Sequence, residues 1–275
     1  MAGTVTELRQ PEPEGLVLTR TEGAIARLTL NNPPANALSI AMMETLLSAL
    51  AEAGSDPSVR VIVIRSEGRV FSAGHDLKEL TAHRADGDRG AAFFRRTFDL
   101  CAELMTAIVR HPKPVIAEID GLATAAGCQL VASCDLAICT DSSGFCTPGV
   151  NIGLFCSTPM VALSRNVHRK QAMEMLLTGE TIDASTAREF GLVNRIVPRE
   201  YLDQVITKYA QTIADKSSLV VRTGKEAFYR QAEMGLDEAY AYTAEVMVEN
   251  MLARDAEEGI TAFLHKRKAQ WTNEQ

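Results

Sequence analysis

The chain has 275 residues and a mass of 29.9 kDa, which is enough for one large domain or for one domain with an extension. Its formal net charge of −7 predicts no general attraction to nucleic acid, and no stretch approaches the roughly 18 apolar residues of a membrane-spanning helix. Because residues 1–15 contain no apolar signal segment and a single arginine, we expect a cytoplasmic protein, or else the mature form of an organellar matrix protein.

The first part of the chain predicts two strands, a helix and a third strand. Short apolar runs at residues 16–18 and 25–30, separated by a Glu-Gly turn, indicate the first two strands. Ser39 is a typical N-cap for a helix that continues to about residue 52 with one apolar face. The β-branched run over residues 59–64 then predicts a buried strand.

A sharp turn follows this third strand. Residues 71–77 read Phe-Ser-Ala-Gly-His-Asp-Leu, and Gly74 lets the backbone turn and present its N–H groups to a ligand. A helix is predicted over residues 91–110, where apolar side chains recur every three or four positions and prolines follow.

A second turn of this kind follows the apolar run at residues 114–119. Residues 120–129 read Asp-Gly-Leu-Ala-Thr-Ala-Ala-Gly-Cys-Gln and are predicted to open a helix that continues over 130–133. One N–H donor from each turn could hold a single carbonyl oxygen, and a donor at a helix start is favoured by the helix dipole. A further strand is predicted over residues 136–139, and the chain reads as helical from about Tyr201 onward, so the overall pattern predicts an α/β fold.

Together these motifs resemble the enoyl-CoA hydratase/isomerase family, which is also called the crotonase superfamily. The match extends over nearly the whole chain, and includes an Asn-Ala-Leu helix start in residues 28–38 and a basic motif in residues 262–268. The resemblance implies a ClpP-like spiral of ββα units over residues 15–200, after a flexible lead over residues 1–14. It also implies a C-terminal helical oligomerisation segment over residues 201–275, which gives a homotrimer or a dimer of trimers.

The resemblance further implies that the N–H groups of Ala73 and Ala126 hold the thioester oxygen of an acyl-CoA and stabilise its enolate. The CoA thioester is then the substrate or ligand, and no metal or separate cofactor is implied. Hydratases of the family use two glutamates, at the positions that Gln129 and Gly149 hold here. Gln129 cannot exchange a proton near neutral pH and Gly149 has no side chain, so we expect hydration to be weak or absent. The branch of the family that residues 145–159 and 259–268 resemble most also lacks this glutamate pair.

Other residues are candidates for the substrate-binding site, by resemblance or by position, and they are Ser72, His75, Asp76, Leu77, Asn151, Phe263 and Lys266. His75 is either a base or a bystander, and Asp76 is either a ligand contact or a helix cap. Asn151 is either a water-orienting residue or part of a turn. Phe263 and Lys266 either meet CoA, in part from a neighbouring subunit, or belong to the core and to a solvated helix end.

The six cysteines show no paired metal-ligand spacing, so we expect buried free thiols, with a catalytic Cys146 or Cys156 as the alternative. Three functions remain open at this point. The protein is an enzyme that acts on acyl-CoA through an enolate in fatty-acid metabolism, a non-catalytic acyl-CoA binding protein, or an assembly subunit with a vestigial site.

Overall fold

A computed structural model describes residues 15–273 of the chain, so the lead predicted over residues 1–14 lies outside the described part. The strands of this part are β1 (Val17–Glu22), β2 (Ile25–Leu30), β3 (Val61–Ser66), β4 (Val70–Ser72), β5 (Val115–Ile119), β6 (Leu122–Thr124), β7 (Leu136–Thr140), β8 (Gly144–Cys146), β9 (Ile182–Asp183) and β10 (Arg195–Val197). The α-helices are α1 (Ile40–Ser55), α2 (Leu77–Ala82), α3 (Ala91–Val109), α4 (Ala126–Ser133), α5 (Pro159–Asn166), α6 (Arg169–Thr178), α7 (Ala184–Glu189), α8 (Leu202–Ala214), α9 (Ser218–Gln231), α10 (Leu236–Leu252) and α11 (Arg254–Leu264).

The strands form two sheets, and from β3 to β8 successive strands of the chain alternate between them. One sheet has six strands in the order β1-β2-β3-β5-β7-β10, and the other has four in the order β4-β6-β8-β9. Each of β3, β5 and β7 is followed by a short strand that joins the second sheet before the chain enters a helical segment. This repeated strand–strand–helix order confirms the spiral of ββα units that the resemblance implied.

The central strands of the six-stranded sheet, β2, β3 and β5, are buried on both faces. Successive side chains of a strand point to opposite faces, and one face of β2, β3 and β5 joins the main core with α1, α3 and α4. The other face carries Ile25, Val61, Val63 and Ile116 onto Ile206 of α8 in a second, smaller core. Burial on both faces explains why β3 reads as a continuous apolar run rather than as an alternation.

The predicted elements differ from the observed ones mainly at their ends. Ser39 caps α1 as expected, since its hydroxyl accepts from the N–H of Met42. The third strand begins at Val61 rather than at residue 59, because Val59 is buried but its N–H turns back to Asp56. The strands of the second sheet were not predicted, since two or three residues are too few to show an alternation.

Every element after residue 201 is an α-helix, as predicted, while the domain boundaries at 14 and 200 remain predictions. Helix α10 has no buried residue in the single chain. The large apolar side chains that it and α11 expose are Leu236, Tyr240, Met247, Val248, Met251, Leu252, Ile260, Phe263 and Leu264. Among residues 15–273, no helix is long and apolar enough to cross a membrane.

Candidate active site

The two predicted turns lie directly against each other. The first follows β4 and the second follows β6, and these strands are parallel neighbours, so their carboxyl ends meet at one edge of the second sheet. A Cβ atom added to Gly127 would lie 2.3 Å from the carbonyl oxygen of Ser72. One added to Gly74 would lie 2.9 Å from the Ala126 nitrogen. Glycine at both positions therefore allows the two turns to touch.

The first turn offers a different N–H donor from the one predicted. The N–H of Ala73 donates to the carbonyl of Ala35 at 2.9 Å, so it is already engaged. In the same turn, the N–H of Gly74 meets the hydroxyl of Ser72 at 3.3 Å. The N–H of His75 has no acceptor within residues 15–273. We therefore correct the first donor from Ala73 to His75.

Asn36 fixes the segment whose Ala35 carbonyl accepts from the Ala73 N–H. Its side-chain amide donates to the carbonyls of Glu67 and Val70 at 2.8 and 2.7 Å, and its own carbonyl accepts from the Ser72 hydroxyl at 2.8 Å. These bonds fix the segment that carries Ala35 beside the first turn. No local sequence signal reports such a contact, because the partners are far apart along the chain.

The second turn presents the N–H of Ala126 at the start of α4, as predicted. Ala125 precedes it with φ 51° and ψ −119°, an unusual conformation for a residue with a side chain. No side chain caps α4, and within residues 15–273 the Ala126 N–H has no acceptor. The start of α4 thus keeps an open donor where the helix dipole favours negative charge.

The imidazole of His75 is held beside this pair of donors. Its Nδ1 lies 3.4 Å from the carbonyl oxygen of Leu38, and its ring meets Phe98 edge-on with centroids 5.4 Å apart. The Nε2 atom is buried without a hydrogen-bond partner among the described residues. Burial lowers the pKa of His75 below its ordinary value, so the ring is neutral at pH 7. With the proton on Nδ1, directed at Leu38, Nε2 keeps a free lone pair.

Asp76 and Ser72 have structural partners. The Asp76 carboxylate accepts from the N–H groups of Lys78 and Glu79 at the start of α2, which confirms the helix-cap alternative. Ser72 is fully buried, and Leu77 is half exposed in the first turn of α2. These residues shape the first turn rather than supply reactive groups.

Neither position implied for a glutamate carries a proton-transfer group. The amide oxygen of Gln129 accepts from the Cys101 thiol at 3.7 Å, and burial raises the pKa of that thiol to about 12. Gly149 lies in a 3-10 turn, where an added Cβ would lie 2.9 Å from both the Cys156 sulfur and the Leu154 carbonyl oxygen. The space beside Gly149 is therefore already filled.

All six cysteines are free and buried, as expected. Burial raises the pKa of Cys156, so the thiol beside Gly149 is protonated at neutral pH and is a poor nucleophile. The structure does not bring a charged partner to it, which favours the interpretation as a packed thiol.

The other candidate residues lie on the surface of the single chain. Asn151 is exposed in the 3-10 turn, and Phe263 and Lys266 are exposed at the end of α11. Within the described part of the chain, no hydrogen bond or ion pair joins these side chains to the two turns. A role for them in ligand binding thus remains a prediction.

Comparison with solved structures identifies the fold. A crystal structure of enoyl-CoA hydratase from Mycobacterium smegmatis superposes with a TM-score of 0.89 at 48% identity, over 94% of this chain and 99% of that chain. Human enoyl-CoA hydratase domain-containing protein 3 (ECHDC3) gives a TM-score of 0.89 at 47% identity, over 94% of this chain and 100% of that chain. The fold is that of the crotonase class.

The sequence comparison identifies the family. The family model for enoyl-CoA hydratase/isomerase matches residues 20–274, and the chain belongs to this family. The mitochondrial enoyl-CoA hydratase domain-containing protein 3 of Xenopus laevis is 51% identical over 259 residues, which are 94% of this chain and 86% of that protein. This similarity confirms the branch that residues 145–159 and 259–268 indicated.

Proposed function

We propose that the protein binds acyl-CoA thioesters and polarises the thioester carbonyl with the N–H groups of His75 and Ala126. The main support is that these open donors come from two turns in contact, one of them at the start of α4. Fixed donors aimed at a developing oxyanion are usually the largest contribution to enolate chemistry. These two hydrogen bonds polarise the thioester whether or not a proton is then transferred.

The site supports enolate stabilisation better than hydration. Water addition needs an acid and a base, and Gln129 and Gly149 supply neither. Among the remaining groups, the buried and unpartnered Nε2 of His75 is the best candidate for proton transfer. Asp120 is less suitable because its carboxylate is bound by Arg199 at 2.7 Å. The alternative, favoured by the filled space beside Gly149, is an acyl-CoA binding or assembly protein without turnover.

Acyl-CoA is expected to bind more tightly than the corresponding free acid. The free acid lacks both the thioester carbonyl and the phosphate-bearing CoA group. It therefore loses the hydrogen bonds from the two N–H donors to that carbonyl, and any contact between CoA phosphates and basic residues. Calorimetric titration of butyryl-CoA, octanoyl-CoA and the matching acids measures the difference. Absence of heat with every acyl-CoA would remove the proposal, and heat without decay of crotonyl-CoA absorbance would select the binding protein over the enzyme.

Gly74→Ala is expected to weaken acyl-CoA binding strongly and to lower any turnover by ~10²–10³-fold, the usual effect of losing one oxyanion donor. The new methyl group would lie 2.9 Å from the Ala126 nitrogen and would cover that donor. Gly23→Ala is the matched control, because Gly23 has φ +58° and no atom within 4 Å of an added Cβ. Circular dichroism checks folding, and equal binding by both variants would contradict the assigned donor.

The protein is expected to be a homotrimer or a dimer of trimers. The exposed apolar side chains of α10 and α11 form a large uncovered surface, which soluble proteins usually bury in an interface. Light scattering after size exclusion measures the mass, and Leu252→Glu, at a side chain 82% exposed, should give a smaller species that remains folded. A stable wild-type monomer near 29.9 kDa would contradict the assembly.

The cellular location that fits this function is the cytoplasm, with a mature matrix form as the alternative. The curated relatives from Xenopus laevis, rat and human are named as mitochondrial proteins, which favours the matrix form. Either compartment is reducing enough to keep buried thiols free, and both contain the acyl-CoA pools of fatty-acid metabolism.

A further inference from the structure

A cleft lies at the opposite end of the central strands from the two turns. It encloses about 370 Å³ at the amino ends of β3 and β5, and is closed by the ends of α1 and α8 and by the start of α9. The two turns instead follow the short strands that leave from the carboxyl ends of β3 and β5. The cleft is therefore separate from the proposed thioester site.

Among residues 15–273, the cleft is lined by four cations and by no carboxylate. The cations are Arg60 before β3, Lys113 before β5, Lys216 after α8 and Arg222 on α9. This concentration of positive charge contrasts with the net charge of −7 of the chain. A concave surface lined by one sign of charge concentrates oppositely charged ligands.

Three of the four cations have no ion-pair partner among residues 15–273, namely Arg60, Lys216 and Arg222. Lys113 is fixed by donating to the carbonyls of Ala53 and Asp56 at 2.6 and 2.5 Å. The carboxylates of Asp56 and Asp215 lie outside this lining: that of Asp56 accepts from Ser58, and that of Asp215 accepts from Gln211. Asp56 keeps its negative charge and acts on Lys113. The other three cations are the ones that no ion pair offsets within the described part of the chain.

Burial lowers the pKa of Lys113, the charge of Asp56 raises it and the charge of Arg60 lowers it. Arg60 and Lys113 therefore act on each other, and a bound anion relieves the repulsion between these like charges. The rest of the wall includes Pro57, Pro112 and Pro114, which restrict the backbone, together with the polar residues Ser218 and Asn273.

We propose that this cleft is a second ligand site, which binds a small molecule that bears a phosphate or diphosphate group. Guanidinium and ammonium groups are the side chains that recognise phosphoryl oxygens, and two arginines with two lysines match a dianion or trianion. The volume lies within the range of small-molecule sites. The three prolines of the wall offer apolar contacts to the uncharged remainder of such a molecule.

Inorganic pyrophosphate and ADP, with adenosine as the uncharged control, are the probes for isothermal titration of the full-length protein. We expect saturable binding of both anions, weaker binding at higher salt, and no binding of adenosine. The double variant Lys216→Gln with Arg222→Gln alters exposed side chains only and is expected to weaken pyrophosphate binding at least tenfold. The double variant Arg169→Gln with Lys170→Gln, at exposed cations on α6, is the matched control and should bind as the wild type does.

Acyl-CoA must be tested beside pyrophosphate, because it carries phosphates of its own. Both ligands are therefore titrated into the cleft variant. An equal loss of pyrophosphate binding in the α6 control, unaltered pyrophosphate binding by the cleft variant, or an equal loss of pyrophosphate and butyryl-CoA by that variant would each overturn the proposal. A cleft variant that loses pyrophosphate but retains butyryl-CoA establishes a separate anion site, whether or not the thioester proposal holds.

Discussion

Hydration of crotonyl-CoA by the wild-type protein is expected to be slow, and Gln129→Glu is expected to raise it. A positioned acid or base contributes ~10²–10⁴ in rate, and neither position 129 nor position 149 supplies one. Glutamate at position 129 keeps the acceptor for the Cys101 thiol, which stays protonated because burial raises its pKa to about 12. The decay of crotonyl-CoA absorbance at high protein concentration measures the gain.

Gly149→Glu tests the gain of hydration less directly than Gln129→Glu does, because it also disturbs the local packing. The new Cβ would lie 2.9 Å from the carbonyl oxygen of Leu154 and from the Cys156 sulfur, so backbone must shift to admit it. Overpacking of this kind typically costs about 1–3 kcal/mol. We therefore expect the single Gln129→Glu variant to gain activity while the double variant loses stability, which thermal unfolding would show.

His75 provides the control for residual activity. If the weak turnover uses Nε2 as a base, His75→Gln should abolish it while acyl-CoA binding persists, because the backbone donor remains. The rate should fall as the pH drops through a pKa that burial holds below the ordinary value of about 6.5. Wild-type hydration at ~1–10³ per second that His75→Gln does not change would contradict this interpretation. It would mean that the site contains an efficient proton-transfer group other than His75.

Arg27→Met is expected to destabilise the fold by about 1–3 kcal/mol, the usual cost of removing one partner of a buried polar group, because Arg65 still lies 3.5 Å from the Glu118 carboxylate. The Arg27 guanidinium lies 3.2 Å from the Glu118 carboxylate, and the two side chains are only 7% and 4% exposed. Arg27 also donates to Thr207 on α8 at 2.6 Å. The pair thus joins β2, β5 and α8 at the edge of the second core.

Urea unfolding of this variant at pH 7 and pH 5 gives a second readout. Burial already raises the pKa of Glu118, and removal of Arg27 raises it further. A raised folded-state pKa favours folding at low pH and opposes it as the pH rises, so the deficit should shrink at pH 5. Arg20→Met, which breaks the exposed pair with Glu22, is the control and should cost less than about 1 kcal/mol. A deficit for Arg27→Met that matches this control would show that the buried pair contributes little.

The sequence predicted the elements that carry the site better than it predicted the site's contacts. The two turns, the start of α4 and the substituted positions 129 and 149 are local features that a motif can report. The carbonyl that engages Ala73 comes from a distant segment. Cys156 lies in the same stretch as Gly149, but the motif does not show that the chain folds its thiol back onto that glycine. The Arg27–Glu118 pair joins residues 91 positions apart, so only the folded chain reveals that Glu118 is a buried partner.

The thiol beside Gly149 also constrains how this lineage can change. A single substitution that introduces a carboxylate at position 149 meets the Leu154 carbonyl and the Cys156 sulfur before it meets any substrate. The segment around residues 154–156 would have to be repacked first, at a time when the repacking brings no catalytic advantage. A carboxylate at position 149 therefore requires several changes together, and selection on this protein can more easily refine what the present groups bind than introduce water addition there.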